Sequence, residues 1–397
     1  MFETITLAPP DAILGVTEAF NEDANPHKIN LGVGVYQNDA GVTPVLETVK
    51  KAAQKILQGE TTKSYLPMTG LADYGDLVQK LLFGDNHAIL KSGRLSTAHT
   101  PGGTGGLRVG GDFLNKFVPG ANVWMSDPTW ANHQGIFAAA GLKPKSYPYF
   151  DEKNNTLNFS AMCDALYKVP EKEIVLLHVC CHNPTGIDPT PEQWQKIAEI
   201  AKERKWIPFL DFAYQGLAVG LVEDRAGLLA IAEKCPEFLV ASSFSKNFGL
   251  YRERTGALTL VAGDAKSAEA ALSHLKLTIR VNYSNPPAHG VLIVVNILKD
   301  PALRAEWETE VTAIRTRINS VRTQFVNELK KRGVKRDFSF IERQKGMFSF
   351  SSLTQEQVDF LREKKGIYIV KGGRINVAGI TSRNINYLCD CLADVLK

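Results

Sequence analysis

A lysine lies just beyond a strand-like apolar run, among hydroxyl groups and glycine rather than among other charges. Residues 243–249 read Ser-Phe-Ser-Lys-Asn-Phe-Gly, with Lys246 at the centre. Most lysines at strand ends are solvated, but one that is desolvated has a lowered pKa and can act as a nucleophile. Asp211 closes an earlier apolar run. An aspartate there is commonly a cap or an ion-pair partner, and it also suits a cofactor whose pyridine nitrogen must stay protonated.

Two further segments have the composition of ligand-binding turns. Residues 100–108, Thr-Pro-Gly-Gly-Thr-Gly-Gly-Leu-Arg, predict a glycine-rich turn before a helix. Backbone amides at a helix start bind phosphate well. The segment lacks Gly-Lys-Ser/Thr and Gly-x-Gly-x-x-Gly, which excludes a P-loop and argues against a dinucleotide site. Residues 181–186 predict a proline-anchored turn after the strongest apolar run, at a strand end where α/β sheets bind ligands.

The elements that must position these residues follow from the apolar pattern. Strands are predicted at residues 123–126, 174–180, 207–212, 238–244 and 257–262, with a helix at 191–203. This alternation is typical of an α/β domain with a mostly parallel sheet. Apolar residues at helical spacing from 303 to 329 predict one long helix between Pro301 and Gly333. Strand-like and helical segments then alternate, which predicts a second, smaller α+β domain.

Composition and charge exclude several classes of function. The 46 basic and 42 acidic residues leave a net charge of +4, without a run of like charges, so we expect no nucleic-acid partner. No apolar stretch approaches the ~20 residues of a membrane span, and the first residues do not read as a signal peptide. Six cysteines without Cys-x-x-Cys spacing are typical of buried thiols in a reducing cytoplasm rather than of a metal site.

These four segments, in this order, resemble the class I aminotransferases of pyridoxal phosphate (PLP) fold type I, and more closely the aspartate aminotransferases and their aromatic relatives. Further similar blocks lie at residues 30–36, 126–133, 282–290 and 374–379, so the resemblance covers essentially the whole chain. It implies an α/β fold in which a large PLP-binding domain, residues 48–312, has a mostly parallel sheet flanked by helices. The smaller α+β domain would comprise part of residues 1–47, which also form an N-terminal arm, and residues 313–397.

The resemblance implies a role for each residue around PLP. Lys246 would bind the cofactor covalently and move the substrate's α-proton, with Asp211 at the pyridine nitrogen and His133 orienting Asp211. Asn183 and Tyr214 would donate hydrogen bonds to the phenolate oxygen, and Trp130 would stack on the ring. The phosphate would be bound by Gly103, Thr104, Ser243 and Arg254, and by Tyr65 of the neighbouring subunit.

The same resemblance implies how amino acids and 2-oxo acids bind. Arg374 would grip the α-carboxylate, and Arg280 would reach across a homodimer to the side-chain carboxylate, so that the active sites are shared. Gly34, Phe348, Trp130 and Asn183 would complete the substrate site, and no metal is expected. The implied enzyme is a cytoplasmic homodimer that works by a ping-pong mechanism with 2-oxoglutarate and glutamate as one substrate pair.

The preferred amino donor is left open between two branches of the family. Val35, Thr43, Thr104 and Asn285 resemble the aspartate form, residues 65–68 resemble the aromatic form, and Ser64 matches neither. Arg280 occurs in both. A decarboxylase or lyase on the same fold is harder to reconcile with two arginines that bind carboxylates. A binding protein without activity would be expected to lack Lys246 or Asp211, and both are present.

Overall fold

The computed structural model describes residues 2–8 and 14–396, which form two compact units. The larger unit is one continuous stretch, Pro44–Arg317, and the smaller unit combines the described residues before and after it. Residues 9–13 of the predicted N-terminal arm lie outside the described residues. No helix in the described part of the chain has the length and apolar content of a membrane span.

The strands are short, and most of them lie in the larger unit. They are β1 (Ile29–Asn30), β2 (Leu95–Pro101), β3 (Asn122–Asp127), β4 (Lys143–Pro148), β5 (Phe150–Asp151), β6 (Thr156–Leu157), β7 (Ile174–His178), β8 (Ile207–Phe212), β9 (Phe238–Ser243), β10 (Thr255–Val261), β11 (Phe348–Phe350), β12 (Ile367–Tyr368) and β13 (Arg374–Asn376).

The α-helices range from one turn to thirty-one residues. They are α1 (Leu14–Glu22), α2 (Glu47–Gly59), α3 (Ala72–Phe83), α4 (Gly102–Phe117), α5 (Asn132–Ala139), α6 (Phe159–Leu166), α7 (Pro191–Arg204), α8 (Ala226–Lys234), α9 (Ala265–Asn282), α10 (Ala288–Lys299), α11 (Pro301–Lys331), α12 (Phe340–Arg343), α13 (Gln355–Lys365) and α14 (Ile385–Val395).

The larger unit is built on a seven-stranded sheet in the order β2-β10-β9-β8-β7-β3-β4. Neighbours from β9 to β4 are parallel, and β10 is antiparallel to both β2 and β9. Six strands therefore end at the same edge, where β10 begins. The register sets Thr100 and Ser243 on either side of Gly256 at that edge. The predicted α/β fold with a mostly parallel sheet is confirmed.

The central strands are apolar because both of their faces are covered. Every residue of β7, β9 and β10 is buried, as expected for the middle of a sheet that helices flank. Helix α4 packs on β9 and β10, and the ring of Phe137 from α5 meets Phe209 edge-on at 5.8 Å. This core fixes the strand ends that carry the predicted chemistry.

The smaller unit contains two short strand pairs and the helices around them. Strand β1 pairs in parallel with β12, and β11 pairs antiparallel with β13. Helix α13 begins with a capping box between Thr354 and Gln357 and ends at Gly366, whose φ of 66° is left-handed. These features explain why so polar a helix has fixed ends.

Two predicted elements differ from the structure. The glycine-rich segment is not a turn that precedes a helix, because α4 begins at Gly102, directly after β2. The strand predicted at residues 174–180 ends at His178, since Cys181 has a left-handed φ of 52° and the chain turns there. All six cysteines are free, and five of them are buried.

Candidate active site

The ends of β8 and β9 place Asp211 and Lys246 at the same edge of the sheet. Asp211 is the fifth residue of β8 and pairs in register with Ala241 of β9 and His178 of β7. Lys246 follows β9 by three residues, in the excursion that links β9 to β10. Parallel α/β sheets bind ligands at this carboxyl edge.

The carboxylate of Asp211 is buried and joined to a chain of hydrogen bonds. His133 Nε2 lies 3.0 Å from Asp211 Oδ2, and Thr129 Oγ1 lies 2.8 Å from His133 Nδ1 and 3.1 Å from His178 Nε2. An ionised carboxylate only accepts, so this pattern assigns the proton of His133 to Nε2 and makes the Thr129 hydroxyl donate to Nδ1. The Thr129 oxygen then accepts from His178.

Electrostatics keep this carboxylate ionised. Burial on its own would raise the pKa of Asp211, but the hydrogen bond from His133 and the nearby charge of Lys246 bring it below its ordinary value. Burial lowers the pKa of His178 to about 3, so that imidazole is neutral. Ligand atoms of His133, His178 and Asp211 lie within 4.8 Å of one another, close enough for a metal ion. The expectation that the site needs no metal stays a prediction.

Lys246 is half-buried and faces the ring of Tyr214. Its Nζ lies 4.9 Å from the ring centroid, and Tyr214 itself is buried. Asn247, the next residue, donates from Nδ2 to the carbonyl of Gln215 at 3.2 Å. Its own carbonyl accepts from the indole of Trp307 at 2.8 Å. The turn that carries Lys246 is therefore tied to the Tyr214 segment on one side and to α11 on the other.

A cradle formed by Arg254, Ser243 and the start of α4 lies next to this turn. A Cβ on Gly102 would lie 2.9 Å from the guanidinium carbon of Arg254, and one on Gly103 would lie 3.2 Å from Cβ of Ser243. Arg254 is therefore packed against the start of α4, whose first amides have no partner within the helix. Ser243, the Arg254 guanidinium and the first amides of α4, which include that of Thr104, therefore lie close together. That donor set fits a phosphate group.

Asn183 and Trp130 flank the same edge. Asn183 is buried in the turn after β7, where the Asp188 carboxylate accepts hydrogen bonds from the amides of Cys181 and His182 at 2.7 and 2.8 Å. The Trp130 ring meets the His133 ring edge-on, with centroids 5.2 Å apart. The carboxyl ends of β3, β7 and β8 thus bring four side chains close together, namely Trp130, His133, His178 and Asp211.

Tyr65 and Arg280 lie together on the surface, in a depression of about 840 Å³ formed by residues 63–66, 280 and 283–288. Tyr65 is 92% exposed, and Arg280 is also exposed and donates to the Ser284 hydroxyl. Asn285 donates to the carbonyl of Leu66 at 2.8 Å, and this bond joins the 63–66 side of the depression to the 283–288 side. The described lining of this depression does not include Lys246, Asp211 or Arg254.

The smaller unit brings Arg374, Gly34 and Phe348 together. Arg374 is buried, and its Nη2 donates to the carbonyl of Gly32 at 2.6 Å. Its guanidinium carbon lies 4.3 Å from the centroid of the Phe348 ring. A Cβ on Gly34 would lie 3.2 Å from Cζ of Phe348, so that position has no room for a larger side chain without movement of the ring.

A comparison with known protein families decides the class of this protein. The family model for aminotransferases of class I and II matches residues 26–392. The chain belongs to that family. It is therefore an enzyme that transfers amino groups, and the predicted family is confirmed.

Individual relatives of this aminotransferase fall in two named groups. It is 53% identical over the full length of both chains to the aspartate aminotransferase of Escherichia coli K12, and 43% identical to the aromatic-amino-acid aminotransferase of that strain, again over both full lengths. Among solved structures, the aromatic-amino-acid aminotransferase of Burkholderia pseudomallei, covalently bound to pyridoxal phosphate, matches with a TM-score of 0.98 and 47% identity over both full chains.

Several residues that support the candidate site of this aminotransferase were not predicted from the sequence. Thr129 and His178 extend the Asp211 network, Asn247 and Trp307 fix the Lys246 turn, and Asn376 bonds on both sides of Gly34. One signal was available, because Thr129 and Asn376 lie inside the quoted blocks at 126–133 and 374–379. Their partners are distant in sequence, and spacing alone does not reveal them.

Proposed function

We propose that this aminotransferase is PLP-dependent and moves the amino group between L-aspartate and 2-oxoglutarate by a ping-pong mechanism. The observation that carries the proposal is the placement of Asp211 near the end of β8 and of Lys246 just after the neighbouring parallel strand β9, beside the cradle of Gly103, Ser243 and Arg254. A lysine, a buried carboxylate and a phosphate cradle are the three anchors that this cofactor requires.

The residues at the sheet edge fit PLP. The cradle and Thr104 would hold its phosphate, and Asp211 would accept a hydrogen bond from the ring nitrogen. Asn183 and Tyr214 would donate to the phenolate oxygen, and Trp130 would cover the ring face. When bound, PLP supplies an electron sink that stabilises negative charge at the substrate's α-carbon. His133 donates to Asp211 and keeps its carboxylate ionised and oriented.

Lys246 performs the proton transfer. Its amino group would remove the proton from the substrate's α-carbon as general base and, as general acid, deliver it to the cofactor carbon bonded to the transferred nitrogen. The bonds of Asn247 to Gln215 and Trp307 limit movement of the turn, so the amino group stays close to Tyr214.

Two arginines select carboxylate substrates. Arg374 binds the α-carboxylate, and stacking on Phe348 together with the bond to Gly32 fixes the plane of its guanidinium. Arg280 of the partner subunit binds the distal carboxylate of aspartate or glutamate. Gly34 lets the backbone approach the substrate, because no side chain intervenes.

The functional form in this proposal is a homodimer with shared active sites. Tyr65 and Arg280 are exposed beside apolar side chains of α9 that are exposed as well, Leu277 at 56% and Val281 at 86%. Burial of such side chains favours association with a second copy. Small amino acids and 2-oxo acids are the other partners, and we place the enzyme in the cytoplasm. The larger unit is the PLP-binding domain of this proposal.

An aromatic-amino-acid aminotransferase is the second candidate. Full-length identity to aromatic enzymes, 43% and 47%, favours it, as does the Tyr-Leu-Pro-Met sequence at residues 65–68. Val35, Thr43, Thr104 and Asn285 favour aspartate, and so does the 53% identity to the aspartate enzyme. We rank aspartate first and expect measurable activity with aromatic donors.

A panel of amino donors with 2-oxoglutarate tests the proposal. The panel compares kcat/KM for aspartate, tyrosine and phenylalanine, while absorbance in the visible range follows the cofactor when glutamate is added. Aspartate is expected to give the highest value. If kcat/KM for tyrosine or phenylalanine exceeds that for aspartate, the aromatic-amino-acid aminotransferase becomes the first candidate. A spectrum that does not change with any donor would contradict transamination altogether.

A further inference from the structure

One buried amide in the smaller unit holds the backbone on both sides of Gly34. Nδ2 of Asn376 donates to the carbonyl of Val33 at 2.8 Å and to that of Val35 at 2.7 Å, and its Oδ1 accepts from the amide of Ala378 at 3.1 Å. The side chain of Asn376 has no exposed surface. Both of its N–H groups are thus used on the two peptides that flank one glycine.

The same short strand also presents Arg374 to this segment. Residues 374 and 376 of β13 point to one face because side chains alternate along a strand. Arg374 donates to the carbonyl of Gly32, and the backbone amide of Asn376 donates to the carbonyl of Leu31 at 2.8 Å. Strand β13 therefore holds consecutive peptides of the Gly34 segment, and Arg374 is one of the holding groups.

The segment needs such support, because residues 31–38 have no regular secondary structure. Phe348 restricts it from one side, and Phe348 is itself held where Arg322 donates to its carbonyl at 2.7 Å. An irregular segment without side-chain bonds would lose its single conformation, since ordering each residue costs entropy. The amide of Asn376 supplies two bonds at the position where the segment has no side chain of its own.

We propose that Asn376 is a positioning residue that fixes the Gly34 backbone relative to Arg374, so that both meet the substrate's α-carboxylate as one preformed surface. This inference rests on the proposed function, in which Arg374 and Gly34 contact the substrate. Asn376 acts through them and does not itself touch the substrate.

Three substitutions at Asn376 and one control test the inference in the full-length enzyme loaded with PLP. N376A removes both donors, N376S keeps one, and N376D places a carboxylate on the face of β13 that carries Arg374. The matched control is N384A. Asn384 lies in the same unit and makes similar bonds, to the carbonyl of Gly379 at 3.0 Å and from the amide of Thr381 at 2.8 Å.

The readouts are the dissociation constant of succinate, which carries carboxylates but no amino group, and KM and kcat for an amino donor and a 2-oxo acid. Loss of two hydrogen bonds should weaken succinate binding and raise KM by roughly ten- to a hundredfold in N376A, with a smaller change in kcat. N376S should lie between N376A and the wild type. N376D should be the weakest binder, because its carboxylate competes for Arg374. Retention of PLP should not change in any variant.

Two results would overturn the inference. One is unchanged succinate binding in N376A while the wild type is active. If N376A does not fold, the corresponding result is a succinate affinity of N376S equal to that of the wild type. The other is an equal loss of binding and of melting temperature in N376A and N384A, which would indicate a merely structural role. A wild type that transfers no amino group would overturn the proposed function as well, so the two failures are distinguishable.

Discussion

Nε2 of His133 lies 3.0 Å from Oδ2 of Asp211, and both side chains are buried. Hydrogen bonds join His133 to Thr129, and Thr129 to His178, so these side chains together fix the position of the carboxylate. The carboxylate stays ionised despite burial. A single buried acid thus depends on three polar side chains from other parts of the chain.

Asparagine at Asp211 should lower turnover by more than about a hundredfold, because a fixed charge is removed from a desolvated site. An amide cannot keep a pyridine nitrogen protonated, whereas covalent attachment of PLP to Lys246 does not need that charge. Stopped-flow measurement of the half-reaction, with an absorbance spectrum of the resting enzyme, would separate the two effects. Turnover close to that of the wild type would show that Asp211 only caps its strand.

Lys246→Ala should abolish transamination and leave a folded protein that still binds PLP, because in the proposed site other residues would hold the phosphate, the ring nitrogen and the ring face. Borohydride reduction of the wild type should fix the cofactor on this lysine, and peptide mapping would locate it. Lys202, on the surface helix α7, offers a control, since its replacement by alanine should not affect activity. Label on any other peptide contradicts the assignment.

Mixing two variants that are each impaired with aspartate tests the shared active site. If Arg280 and Tyr65 serve the partner subunit, an Arg280 variant and a Lys246 variant should regain partial activity together, since some heterodimers contain one intact site. Sedimentation of each variant alone gives the oligomeric state. Once subunit exchange has been demonstrated, a mixture without activity would argue that each site is built from one chain.

Arg280→Leu should lower kcat/KM for aspartate and glutamate by roughly thirty- to a few thousandfold, the usual range for truncating one partner of a desolvated ion pair. Donors with aromatic side chains make no such pair, so their kcat/KM should change little or improve. The amino-donor panel measures both. An equal loss for all donors would mean that Arg280 supports the fold or the interface rather than specificity.

His99 should make the protein less stable in acid. Its ring is fully buried, and neither ring nitrogen has a hydrogen-bond partner among the described residues. Burial lowers its pKa from 6.5 to about 3, so between these values the unfolded chain binds a proton that the folded protein does not. The free energy of unfolding therefore falls as pH drops from 6.5 toward 3. In His99→Gln, the free energy of unfolding should fall by about 1.4 kcal/mol less per pH unit over this range than it does in the wild type.

Urea unfolding at several pH values measures this slope. His289→Gln is the matched control, because His289 is exposed and its replacement should leave the slope as it is in the wild type. His178 and His182 are buried as well, with pKa values lowered chiefly by burial, so part of the slope should remain in His99→Gln. An unchanged slope in that variant would show that His99 is not the group that titrates.

Local pattern predicted five strands of the seven-stranded sheet, because buried strands are continuous apolar runs, but it did not predict the two edge strands β2 and β4, which are less completely buried. It placed Asp211 and Lys246 at strand ends. Because parallel strands end at the same edge of a sheet, this placement also predicts that the two residues lie near each other. It did not predict that α4 begins at Gly102, since glycine has low helix propensity and the helix there depends on packing against β9 and β10.

The supporting residues were beyond the reach of local pattern for a different reason. Thr129 meets His178 across 49 positions, Asn247 meets Trp307 across 60, and Asn376 meets Val33 across 343. Such contacts depend on the tertiary fold. The roles of the site residues were predicted from resemblance to a family. Such a resemblance assigns a role to each residue but does not identify the distant residues that hold it in place.

The smaller unit is assembled from two stretches of chain, and the whole of Pro44–Arg317 is synthesised between them. Strand β1 and the Gly34 segment are synthesised before Pro44–Arg317, but β12 and β13, which hold them, are synthesised after it. The sheet that carries Lys246 can form during translation, whereas Ile29 and Leu31, buried in the finished protein, must wait uncovered. Translation itself therefore sets an order in which the larger unit can fold before the unit that bears Arg374 is complete.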